Sequence, residues 1–306
     1  MSFDIRFCTK DIREIDHEEV SDYLRTQPYF EVNESDGGFQ SIYKNLDTGV
    51  YFIFESSPEL ELAEEEQLPP GYQDTGLWFT LNLIRPTFFA HEALPYVEEF
   101  TKKFDLLIVD PQDDSIGGNG KPKICNTEEL IASWAKSNEF GVKAFKRKEV
   151  SESSHVISYM PLEKSMNWWE YSKGKKALEE KLGDDFFVPR MFILKDQSAG
   201  ELKTAISWTD GIPQIFASCD LVGIVKMKKR LFSSQTKSTK EGFIEYDDLM
   251  KLIGDLAQPF QGPVSGIKIL KSDKTREVQK IFKSLRPQST DEFKSISPDE
   301  FIDIQV

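Results

Sequence analysis

The side chains best suited to chemistry are three carboxylates just beyond an apolar run: Asp110, Asp113 and Asp114 after Leu106–Val109. A hard cation such as Mg²⁺ takes oxygen ligands, and the carboxyl end of a strand is a usual place to find them. Such a set would serve a hydrolase or a phosphoryl-transfer enzyme, with Glu98 and Glu99 on the preceding helix as further ligands. The same stretch reads Asp-Pro-Gln-Asp-Asp, in which Asp caps and bonds its own backbone as in many turns. Turn use is the commoner role, and the metal set stands as the enzymatic alternative.

Other catalytic patterns fall short. Gly117, Gly118, Gly120 and Lys121 follow the same strand, but a phosphate-binding loop needs Gly at Ser115 and a hydroxyl at Pro122. No G-x-G-x-x-G is present. His91-Glu92 opens like H-E-x-x-H, yet position 95 is Pro. The three histidines and three cysteines are widely spaced, with no C-x-x-C, so neither a zinc site nor a disulfide framework is expected. Cys219-Asp220 with His155 would form a nucleophile and base only if the fold brought them together. A cysteine in an apolar strand is ordinarily an inert small residue. No cofactor is expected, and the chain reads as a binding protein before an enzyme.

Charge is the most unusual feature. The 306 residues carry 52 acids and 38 bases, a net charge of −14. The imbalance lies in residues 1–120, with 25 acids and 8 bases, whereas residues 121–306 hold 27 and 30. Glu55, Glu59, Glu61, Glu64, Glu65, Glu66 and Asp74 gather around one Pro-rich loop. A nucleic-acid binder would show a basic footprint, so nucleic acid is not the expected partner. Complementary fields speed encounter and set specificity, so these acids predict a surface for a basic protein partner. In a bacterial setting, acidic inhibitors or immunity-type proteins that neutralise a basic toxin follow this logic. Lys226, Lys228, Lys229 and Arg230 form a smaller basic cluster. It has no interleaved aromatics for base stacking, and lysines on an edge strand discourage pairing with other chains. Trp168 and Trp169 point about 100° apart on a helix, so one of them is a candidate partner contact, and the alternative is one wide buried face. A regulatory or structural subunit docking through Trp168 is the third reading.

No signal peptide precedes the first strand pattern, and no run approaches the roughly 20 apolar residues of a membrane span. With its unpaired cysteines, the chain is expected to be cytoplasmic, with no membrane partner.

These residues must be held by a mixed α and β scaffold. Phe3, Ile5 and Phe7 alternate with polar neighbours, as in a half-buried strand. A short helix capped by Asp16 and stopped by Pro28 follows, then a meander over Tyr29–Val32, Phe39–Tyr43 and Val50–Phe54. Leu77–Ile84 is a further strand. Phe89, Ala93, Val97, Phe100 and Phe104 fall on one helix face, which either runs through Pro95 or opens near Leu94. The expected class is α+β in two domains, each a largely antiparallel or mixed sheet with helices on one face. The first is broadly ferredoxin-like with an added hairpin. The expected boundaries are 1–120 for the acidic domain, 121–154 for a linker with a bridging helix from Thr127 to Trp134, and 155–306 for the second domain. In that domain Pro161 opens a long helix, Val188–Leu194 and Leu202–Trp208 form a hairpin, and 231–242 is expected to be a loop.

Overall fold

The computed structural model describes residues 1–10, 13–35, 37–57, 68–110, 121–149, 157–229, 236–271 and 275–305. It is a mixed α+β protein, with several sheets that include a six-stranded antiparallel sheet and a curled half-barrel. The chain forms two compact units: Met1–Ile157 with Phe301–Val306, and Ser158–Glu300. Among the described residues, no helix is long and apolar enough to cross a membrane.

In the first unit the alternation of Phe3, Ile5 and Phe7 becomes β1 (Ser2–Lys10), with those side chains fully buried. Asp16 caps α1 (His17–Thr26) by accepting from the Glu18 and Glu19 amides. The meander is β2 (Phe30–Ser35), β3 (Gly38–Lys44) and β4 (Tyr51–Ser56), followed by β5 (Tyr72–Asn82). Next come α2 (Phe88–Phe104), β6 (Leu107–Val109) and α3 (Thr127–Glu149). The strand order is β2-β3-β4-β5-β1-β6, with every neighbouring pair antiparallel. Strands β5 and β6 therefore run the same way on either side of β1, and α2 carries the chain between them.

Aromatic residues join sheet and helices. Phe100 of α2 packs on Phe7 and Phe54 with ring centroids 5.1 and 4.8 Å apart. Tyr23 of α1 meets Phe104 edge-on at 5.4 Å, so both helices cover the same face. Helix α2 runs through Pro95 rather than opening near Leu94. Its start is fixed from outside: the Asp303 carboxylate accepts from the Thr87 amide at 2.9 and 3.0 Å and from the Thr87 hydroxyl at 2.8 Å. Helix α3 continues fifteen residues beyond Trp134, and its described part belongs to the first unit. Asn126 and Glu129 form its capping box, each side chain accepting from the other's amide at 2.9 and 3.1 Å.

The second unit opens with β7 (Ser158–Tyr159) and α4 (Leu162–Leu182). It continues with β8 (Met191–Asp196), β9 (Leu202–Thr209), β10 (Gln214–Phe216), β11 (Leu221–Lys229) and β12 (Thr236–Glu245). Helix α5 (Tyr246–Ile253), β13 (Ala257–Pro259), β14 (Lys268–Leu270), α6 (Thr275–Ser284) and β15 (Phe293–Ser295) complete it. The chain then returns to the first unit as β16 (Phe301–Ile302). One sheet has the order β12-β11-β9-β8-β15, with β9 and β11 parallel, and a smaller one has the order β10-β14-β13.

The expected loop over 231–242 is corrected in part. Thr236–Glu245 is a strand paired with β11 along its length. Its polar sequence concealed it, because an edge strand is specified by backbone pairing on one side more than by a buried face. Strand β9 covers β11 only from Leu221 to Val225, so Lys226, Lys228 and Lys229 occupy positions where that second neighbour is missing. Trp168 and Trp169 are both buried, as one wide face of α4 requires.

Candidate functional site

The predicted acids do not share one environment. Glu55 is half-buried on β4, in a row that crosses the sheet through Gln40, Glu55, Trp78, Arg6 and Val109. This row lies on the face opposite the aromatic core. Asp74 belongs to the same face, and its Oδ2 lies 2.9 Å from Nε of Arg6. Arg6 is only 2% exposed and its guanidinium carbon sits 5.8 Å from the Trp78 ring centre. Burial raises the Asp74 carboxyl above its ordinary range, against the pull of the Gly76 amide and of Arg6. Asp74 is thus an internal ion-pair member as well as a surface acid. Arg6 was not singled out from the sequence. Its signal was a base between Ile5 and Phe7, in the middle of an apolar strand pattern. Glu59, Glu61, Glu64, Glu65 and Glu66 lie outside the described residues, as do Asp113 and Asp114.

Exposed acids also lie on α1 and β2. Glu18, Glu19 and Asp22 are exposed along α1, and Glu31 and Glu34 along β2. Arg25 bridges Asp22 at 2.6 Å and also binds Glu34. Ser21 adds a hydroxyl donor to Glu34 at 3.3 Å. These bonds hold the Glu34 carboxyl below its usual range, the Arg25 hydrogen bond being the main cause.

Glu92 and Asp110 are both buried. Glu92, the acid of the failed zinc motif, accepts on one oxygen from the Tyr43 hydroxyl at 2.7 Å, Asn45 Nδ2 at 2.8 Å and the Thr48 hydroxyl at 2.9 Å. An acid three residues after Phe89, on the apolar stripe of α2, was its sequence signal. Asp110, the first of the candidate metal ligands, is 2% exposed at the end of β6. Among the described residues, no three His, Cys, Asp or Glu side chains come together as a metal-binding group.

In the second unit a cleft of about 440 Å³ is lined by Lys164, Trp168, Thr204, Cys219, Asp220 and Gly266, among others. Lys164 Nζ donates to both Asp220 oxygens at 2.8 and 3.0 Å. Asp220 Oδ2 also accepts from the Thr204 amide at 2.6 Å and hydroxyl at 3.0 Å. This carboxylate is saturated by neighbours from α4 and β9. Burial pushes the Cys219 thiol far up, which disfavours the thiolate a nucleophile needs. His155, its suggested base, lies outside the described residues. Trp168 forms one wall of the cleft and is 2% exposed, its indole N–H donating to the Met191 carbonyl at 3.0 Å.

Comparison with family models, with curated proteins and with solved structures finds no match for the chain.

Proposed function

We propose that this is a non-enzymatic binding protein whose first unit takes up a basic protein partner, as an acidic inhibitor or immunity-type protein would. One observation carries the reading: the excess of acid over base is confined to one unit. Residues 1–157 with 301–306 hold 31 acids and 15 bases, against 21 and 23 in residues 158–300. Solubility alone gives no reason to confine charge to one folding unit, whereas a complementary surface does. Within that unit Glu18, Glu19 and Asp22 of α1 and Glu31 and Glu34 of β2 are exposed. The proposal includes a ferredoxin-like architecture for the first unit, enlarged by one hairpin, on the strength of its two β-α-β crossovers. It also places the protein in the cytoplasm, supported by the free thiols of Cys8, Cys125 and Cys219.

The test is affinity capture on the immobilised full chain from its native source, at low and at raised ionic strength. The expected result is a defined basic protein retained at low salt and released as salt screens the contact. A chain that retains no protein at low salt, and elutes alone throughout, would overturn the reading.

A further inference from the structure

We infer that the free edge of β2 is a strand-addition site for an extended basic segment of the protein partner. The inference rests on the reading of the first unit as the unit that binds a basic protein.

Among the described residues, strand β2 ends the six-stranded order and pairs with β3 alone. Its unpaired side follows from the ladder. Lys44 donates to the Tyr29 carbonyl at 2.9 Å, and Asn45 donates to the Val50 carbonyl at 3.0 Å. In an antiparallel pair, bonded and non-bonded positions alternate. Glu31, Asn33 and Ser35 therefore exchange bonds with Ile42, Gln40 and Gly38, their register partners. The N–H and C=O groups of Phe30, Val32 and Glu34 point away from β3, along a free edge of about 14 Å.

Natural edges are blunted by lysine, proline, a bulge or a cover. The sequence of β2 (FEVNES) contains no lysine or proline, and its pairing with β3 runs without a register break. The charge it does carry is acidic. Across α1 and β2 there are five acids (Glu18, Glu19, Asp22, Glu31 and Glu34) against Arg25, which is already engaged by two of them. A second copy of β2 added here would bring its own Glu31 and Glu34 into the same acidic field, with no base on β2 to offset it. A strand with lysine or arginine at alternate positions gains both the backbone bonds and the complementary field. This is β-augmentation, in which the main chain gives affinity and the alternate side chains give specificity.

The probe is a blocked heptapeptide, Thr-Lys-Val-Lys-Val-Lys-Thr, added to the full chain at low salt. Its partner is the same peptide N-methylated at alternate residues, which keeps the charge and loses strand pairing. Amide exchange by NMR is expected to slow at Phe30, Val32 and Glu34. The methylated peptide is expected to bind about tenfold more weakly, the worth of one or two ladder bonds. Val32→Pro removes one outward N–H without touching a bond to β3, since an edge strand tolerates proline where the N–H faces solvent. It is expected to weaken the plain peptide by a similar factor with the fold intact. Equal binding of both peptides, with no change at the three amides, would overturn strand addition and leave the charge reading standing. Failure of the plain peptide to bind would overturn this inference, whereas the binding reading is decided separately by the capture experiment. A peptide-free dimer with those amides protected would give the edge to a second copy and overturn the assignment.

Discussion

At the residue scale, the informative carboxylates are those the fold has already occupied. Glu92 is buried with three donors on one oxygen. Replacing it by Ala leaves Tyr43, Asn45 and Thr48 without that acceptor. Glu92→Ala is expected to cost roughly 2–4 kcal/mol, read as a lowered urea midpoint, because buried orphaned donors carry their full desolvation penalty. Glu98 gives a pH prediction. Bonds from Lys102 first, then from the Thr127 hydroxyl and amide, hold its carboxyl down at about 2 against an ordinary 4.5. A depressed carboxylate stabilises the fold above its unfolded value, and that contribution is lost as pH falls through the folded one. The start of α3 is therefore expected to loosen between about pH 4.5 and 2, measured as faster amide exchange at Thr127. In Glu98→Gln the same amide is expected to exchange at a rate that does not respond to pH in this window beyond the intrinsic chemistry. In the sequence Glu98, on the helix before β6, stands as a further ligand of the alternative metal set. The structure uses it to cap a neighbouring helix, a role that depends on a residue 29 positions away.

At the element scale, α4 shows how a wide buried face is read. Its apolar residues do not fall on one stripe, so amphipathic periodicity gave only a helix with two candidate faces. The structure buries Trp168, Trp169, Tyr171 and Leu178 together. It ties the helix to the segment entering β8 through Trp168 to Met191 and through the Tyr171 hydroxyl to Pro189, the latter at 2.7 Å. Trp168→Ala is expected to destabilise the second unit by roughly 3–5 kcal/mol, the usual cost of deleting a buried ring. Trp168→Phe keeps most of the bulk and loses the indole donor, for about 1 kcal/mol. Urea unfolding followed by amide exchange within 158–300 separates the two. If both variants retain the captured partner, Trp168 is a packing residue and the partner contact lies elsewhere.

At the scale of the whole molecule, the chain closes its first unit last. Phe301, Ile302 and Asp303 are each at most 3% exposed, and Asp303 holds the start of α2 from 216 positions downstream. Asp303→Ala is expected to cost about 1–2 kcal/mol, as for the loss of a helix cap. A chain ending at Glu300 loses the two apolar side chains as well, and is expected to lose roughly 3 kcal/mol or more. Hydrogen exchange decides whether the effect is local: the first turn of α2 should open in both variants. Unchanged protection there would show that the cap is redundant.

What the sequence determined by itself was whatever depends on near neighbours. Period-2 alternation marked β1 and the meander, Asp16 marked the start of α1, and counting residues placed the acid in one part of the chain. Such features follow from local geometry and from composition, so no distant contact is needed to read them. Tertiary structure decided the rest. It put β5 and β6 on either side of β1, where Arg6 is buried beside Asp74 of β5, and it gave α2 a cap from Asp303. It turned Glu92 inward and, among the described residues, left the outer side of β2 unpaired. Each of these depends on which segments become neighbours, and strand order and register are set by packing across the whole sheet.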